Sequence, residues 1–200
     1  MIMKKIGLTK TQLKKQKDNL KRYNRYLPIL DIKKQRLQKE IERVSAEIAK
    51  TDDVFQKTMD EIKPWAALFG EDIGLGQLIA LKSTETRQDN IAGTDIPVFV
   101  KAHININQYD LFEYPLWADR AVEYFSILIS LMAEKKVLEE QKTLLSVELR
   151  ITSQRVNLFE AVKIPETKEN IRRIMIFFGD QEAAAFGWAK TAKKKLQRKR

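Results

Sequence analysis

His103 is the single histidine among 200 residues, and cysteine is absent. A zinc-type centre draws four ligands from Cys, His, Asp and Glu at recognisable spacings. His103 lies instead in a β-like run, KAHININ, with no ligand pattern around it, and reads as a structural residue. Glu139-Glu140 and Asp52-Asp53 are paired acids on helical stretches. Adjacent residues on a helix do not face one another, so these are solvated surface and not a general acid–base couple. Gly74 and Gly76 frame a GLG without the third glycine of a dinucleotide loop, and no GxxxxGK[ST] segment cradles a phosphate. Tyr23, Tyr26, Tyr124 and Phe125 sit on or beside helical apolar positions, where core packing explains them better than base stacking. The residues support no catalytic machinery, no cofactor and no metal.

The elements that carry these residues have a strong period. From Leu13 to Ile62 the stepping 13, 16, 20, 23, 27, 30, 34, 37, 41, 44, 48, 51, 55, 58, 62 is apolar at eleven of fifteen positions. From Trp117 to Phe159 a second tract holds Trp117, Ala121, Tyr124, Leu128, Leu131, Leu138, Leu145, Leu149, Val156 and Phe159. A sustained 3-4 alternation puts one narrow apolar seam on each helix. Neither helix can bury its own seam. The sequence therefore predicts a mainly α fold: a long antiparallel two-helix coiled coil, with Leu37 and Leu145 in the seam. Thr9 or Thr11 caps the first helix. Pro28 interrupts it without changing the heptad phase, which reads as a kink and not an end. The helix should end near Pro64 or by Gly70.

Between the tracts the character changes. Gly70, Gly74 and Gly76 break the period. LGQLIALKSTET reads as a strand, and NIAGTDIPVFVKAHINI as a Gly-centred turn followed by a β-branched run. Pro97 suits a strand start or an edge. Together they predict a small β-hairpin cap. Tyr114-Pro115 closes it, and Leu116 or Trp117 opens the return helix, which runs unbroken to about Lys163. There Phe159, Lys163, Thr167 and Ile171 step by four beside Pro165, a stutter that unwinds the supercoil. The expected division is 1–69 for the first helix, 70–116 for the cap and 117–200 for the second helix and tail, as one elongated unit.

Charge is uneven. Residues 1–25 carry nine Lys/Arg and one Asp, and residues 189–200 carry seven Lys/Arg and no acid. Between Asp52 and Arg120 stand twelve acids and six bases. An antiparallel pair would gather both basic termini at one end, and such a charge gradient suits different partners at the two ends. No apolar run approaches the length of a membrane span, and MIMKKIGLTK lacks the apolar stretch of a secretory signal. The chain reads as cytoplasmic.

Three segments add a resemblance. TKTQLKKQKDNLKRYNRYLPILDIKKQRLQKEI, NIAGTDIPVF and ITSQRVNLFEAVKIPETKENI occur in the order found in the D subunits of V-type (A/V-type) ATP synthases and ATPases. The chain resembles that family over nearly its whole length. The most specific piece is Gln154, Arg155, Val156, Asn157 and Glu160 with Ile164 and Pro165, followed by Thr9, Lys10 and Leu13, then Asn90, Gly93 and Pro97. Pro28 departs from the general pattern and looks like a bacterial branch. The tail residues Lys193, Lys194, Lys195, Arg198, Lys199 and Arg200 are rich in charge even for this family.

The resemblance implies a non-catalytic central rotor shaft. Its paired terminal helices would enter the bore of a hexamer of A and B subunits, an F subunit would bind along it, and a socket subunit above the membrane ring would hold the hairpin end. The complex, and this chain with it, would lie peripherally on the inner face of the cell membrane and couple ATP turnover to proton or sodium movement. The rival expectation is a basic coiled coil that binds nucleic acid or acts as a tether or adaptor.

Overall fold

A computed structural model describes residues 6–65, 78–107, 114, 115 and 117–198. The elements in chain order are α1 (Lys10–Ile62), β1 (Ile79–Ile91), β2 (Thr94–Ile106), α2 (Ala118–Asn157), a π turn (Leu158–Lys163) and α3 (Ile164–Arg198). The two-helix coiled coil with a hairpin between its helices is the fold expected from the heptads. Gly70, Gly74, Gly76 and Leu116, to which the sequence assigns breaks and a helix start, lie outside the described residues.

α1 forms because its 53 residues contain one proline and no glycine. Thr9 precedes it, and its Oγ1 accepts a hydrogen bond from the Gln12 backbone N–H at 3.2 Å, satisfying one of the unpaired donors of the first turn. The helix continues through Pro28. Pro28 and Asn24 are both exposed, so water can take the carbonyl that the missing N–H leaves. Every one of the fifteen heptad positions from Leu13 to Ile62 is buried or half-buried, including the polar Gln16, Lys34, Thr51 and Thr58. The ten named positions of the second tract are likewise buried or half-buried.

The chain divides into two compact units, residues 1–32 with 152–200 and residues 33–151. In the second unit the helices run antiparallel. Lys33 pairs with Glu148 at 2.5 Å, Lys135 with Asp52 at 2.6 Å, and the rings of Trp65 and Tyr124 lie 5.5 Å apart. Its core is not made by the helices alone. Leu37 and Val44 of α1 and Leu138 and Leu145 of α2 cluster with Ile91 and Ile96 from either side of the hairpin turn. Leu37 and Leu145 are 0% exposed. The hairpin tip thus seals the seam from a third side, a contact that the heptads alone do not foretell.

The hairpin is a two-stranded antiparallel sheet of 13 residues per strand. Its two-residue turn places Ala92 at φ 53° and Gly93 at φ 80°, the positive values that a tight primed turn demands. The Asn90 side chain accepts a bond from the Gly93 N–H at 3.0 Å and donates to Asp95 at 2.6 Å. Register irregularities fall at Leu81/Ser83 and Glu85/Thr86, and such bulges protect open strand edges from pairing with other chains.

In the first unit α1 and the return helix again run antiparallel. Tyr23 packs on Phe159 with ring centroids 5.2 Å apart, while Gln12 and Gln16 share a cleft with Thr167 and Asn170. Thr152, Val156, Thr167 and Ile174 are buried. The return helix departs from α geometry earlier than the sequence suggests, at Leu158. From there the Ile164 N–H donates to the Phe159 carbonyl, five residues back.

The fold sets a clear contrast in mutational cost. Leu145→Ala should destabilise the chain by about 3 kcal/mol, because the seam cannot collapse around the void. Met132→Ala, at a position 60% exposed, should change stability by less than about 0.5 kcal/mol. Urea unfolding followed by circular dichroism gives both values, and equal costs would contradict this assignment of the seam.

Candidate functional site

Most of the residues singled out by the resemblance fall in the unit built from 1–32 and 152–200. Thr9 and Lys10 are exposed at the start of α1, and Leu13 is half-buried on its seam. On α2, Val156 is buried at 3% exposure while Gln154, Arg155 and Asn157 point outward. Glu160, in the π turn, and Pro165 are exposed too. Val156 therefore serves packing, and the polar members of the same motif form a solvated face beside it. This separation follows from the helix period, which turns the neighbours of Val156 about 100° away from the seam.

Asn90, Gly93 and Pro97 belong to the hairpin in the other unit. Asn90 and Gly93 build the turn through the bonds described above, which is a structural role. Pro97 is half-buried on β2 and pairs in register with Gln88. His103 on β2 meets Glu85 on β1 at 3.0 Å, both exposed. Among the described residues no group of three or more His, Cys, Asp or Glu is placed to hold a metal.

The surface that sequence reasoning placed only in part is the end of α3. Every residue from Gly179 to Arg198 is exposed, although the segment is fully helical. It carries Phe186, Trp188 and Leu196 at 75, 76 and 70% exposure, and the basic Lys193, Lys194, Lys195 and Arg198. Lys199 and Arg200 lie outside the described residues.

Charge separates with the two units. The unit of 1–32 and 152–200 holds 21 Lys/Arg against 7 Asp/Glu, and residues 33–151 hold 16 against 20. A formal +14 against −4 makes the first unit the anion-attracting one. Within it, Glu169 accepts hydrogen bonds from Arg172 at 2.9 and 3.1 Å and from Arg173 at 3.1 Å. These bonds, from Arg172 first and then Arg173, hold its carboxyl below the usual carboxylate range. No helix among the described residues is long and apolar enough to cross a membrane.

The chain's relatives agree with one another. The profile of the family described as the D subunit of ATP synthase matches residues 12–194. A V-type ATP synthase D subunit of Borreliella burgdorferi is 43% identical over 197 residues, covering 98% of each chain. Proteins of the same name from Chlamydia abortus and Chlamydia muridarum are 30% and 33% identical. They cover 98% and 96% of this chain and 95% and 96% of their own lengths.

The Glu169 pairs give a pH dependence of known sign. A carboxyl whose folded pKa is depressed contributes stability above its unfolded pKa and loses it as pH falls through the lower folded value. Replacing both Arg172 and Arg173 by Gln should raise the Glu169 midpoint and remove that share of the acid-side slope. Carboxyl-carbon NMR titration between about pH 2 and pH 6 measures the midpoint. An unchanged value would show that the arginines do not hold the carboxylate.

Proposed function

Since the chain belongs to the family of ATP synthase D subunits, we propose that it is the non-catalytic central-stalk shaft of a V-type rotary ATPase. In this reading it turns inside a hexamer of A and B subunits, which hold the catalytic sites, and carries an F subunit along its length. A socket subunit joins it to the membrane ring, so the complex sits peripherally on the inner face of the cell membrane. The relatives lend no support to the alternative of a nucleic-acid-binding or tethering coiled coil.

The observation that carries the proposal is the helix end Gly179–Arg198, exposed throughout and rich in both apolar and basic side chains. Among the described residues nothing covers this segment, which leaves it free to meet a partner. The bore of a hexamer offers one. Basic side chains on long flexible stems make adjustable, screened contacts, which a turning shaft requires and a fixed apolar interlock would forbid. Thr9, Lys10 and Leu13 with Gln154, Arg155, Val156, Asn157, Glu160 and Pro165 form the shaft region of the proposal, and Asn90, Gly93 and Pro97 its hairpin. The division expected from sequence, helix, cap and helix, is the working division of the shaft.

A shaft must also carry torque, and the seam does so only while both helices are intact. Leu149 is half-buried against the core of Leu37, Val44, Leu138 and Leu145. Leu149→Pro should cost about 3 kcal/mol or more and deform the helix. In a reconstituted complex with equal incorporation of either chain, it should abolish most ATP-driven ion pumping. Pumping equal to the parent complex would mean that this helix pair carries no torque. Removal of Lys193–Arg200 should act differently. The described part of that tail, residues 193–198, is exposed, so helical circular dichroism should persist while assembly with A and B subunits weakens; a collapse of the helical signal would make the tail structural.

A further inference from the structure

The return helix carries one residue too many. Upstream, Thr152, Val156 and Phe159 follow the seam by steps of four and three, and downstream Thr167, Ile171, Ile174 and Phe178 follow it by four, three and four. Between Phe159 and Thr167 stand two steps of four, where a heptad seam allows seven residues in all. The π turn Leu158–Lys163 absorbs the surplus. None of its six residues is fully buried, and the ring contact that holds it to α1 is Phe159 on Tyr23, upstream of the residues that would rotate.

We propose that Leu158–Lys163 is a register switch latched by Pro165. In the observed arrangement the surplus residue is stored in the π turn, and Thr167, Ile171, Ile174 and Phe178 face α1. If the turn relaxes to α geometry, every residue from 164 onward rotates by about 100°. The seam then passes to Glu166, Asn170, Arg173 and Phe177.

Three features make the second register reachable. Glu166 and Asn170 already border a cleft of about 370 Å³ with Gln12, Gln16 and Asn19 of α1, so polar groups would meet polar groups where room exists. Phe177 stands edge-on to Phe178 with centroids 5.9 Å apart, and both are half-buried, so either register offers an aromatic at that level. The Lys163–Glu166 pair, at 3.7 Å between half-exposed groups, restrains the turn weakly.

Two features favour the observed register. Ile174 is fully buried and would yield its place to Arg173. Pro165 would also crowd the Ala161 carbonyl in α geometry, whereas the wider π turn draws that carbonyl away. Proline supplies no N–H in either register, so the hydrogen-bond count does not decide between them and the steric contact does. The switch would change which face of α3 is presented, including the exposed Gly179–Arg198 end.

The full chain has no cysteine, so nitroxide labels can be placed at will. Labels at Lys17→Cys and Lys168→Cys, both on exposed positions, should move relative to each other by about 10 Å when the register changes. Pulsed dipolar resonance should show one dominant distance and a displaced minor one. The minor population should grow roughly tenfold in Pro165→Ala. Deletion of Ala161 removes the surplus residue and should leave the dominant distance alone, with its helical signal intact. An unaltered distribution in Pro165→Ala would overturn the switch, and so would a displaced population that survives the deletion. The switch is a property of the isolated chain, so its failure would leave the stalk assignment standing.

Discussion

A single apolar seam on a helix cannot be buried by the helix that bears it, and most of this structure follows from that constraint. α1 and the return helix each expose a stripe that is adequate only for a partner with the same period. A two-helix pair has little interior, so each seam residue, the fully buried Leu37, Val44 and Leu145 above all, carries a large share of the core. Polar residues enter the same seam at Thr51, Gln141, Thr152 and Thr167. Thr51 and Thr167 satisfy their hydroxyls by bonding to the carbonyl four residues back. Thr152 is buried without a hydrogen-bond partner, a local weakness shortly before the π turn begins.

The hairpin answers the shortage of core in the unit of residues 33–151. Its turn delivers Ile91 and Ile96 onto Leu37, Val44, Leu138 and Leu145, which converts a two-sided seam into a three-sided one. The unusual backbone at Ala92 is the cost of that delivery. A non-glycine residue at positive φ is strained, and it persists because the turn must be tight enough to bring both isoleucines to one place. Asn90 then locks the turn with its two side-chain hydrogen bonds. The hairpin is therefore a packing element as well as a connection.

Solvated faces do the remaining work. The interhelical pairs Lys33–Glu148 and Lys135–Asp52 are partly exposed and each contributes little to stability. The unequal charge of the two units acts at longer range and biases what each attracts. An exposed basic helix end in one unit and a net-negative hairpin-bearing unit present two different surface chemistries.

The sequence by itself determined the helices, their seams, the hairpin's place and turn, and the absence of a recognisable catalytic motif. These are local or periodic properties, and a seam sustained over six heptads leaves one face to bury. It also displayed the surplus residue near Pro165, because a stutter is a matter of counting. Whether that surplus becomes a kink, an unwound supercoil or a π turn depends on which carbonyl Pro165 crowds and on Tyr23 meeting Phe159 across the pair, and tertiary structure alone decides it. The same holds for Ile91 and Ile96, whose strand pattern marks them as buried without saying against what. It holds too for the motif Gln154–Glu160, where only the packed helix separates Val156, which is core, from the polar neighbours that remain in water. Non-local contacts have no period, so they become visible only once the chain has folded back on itself.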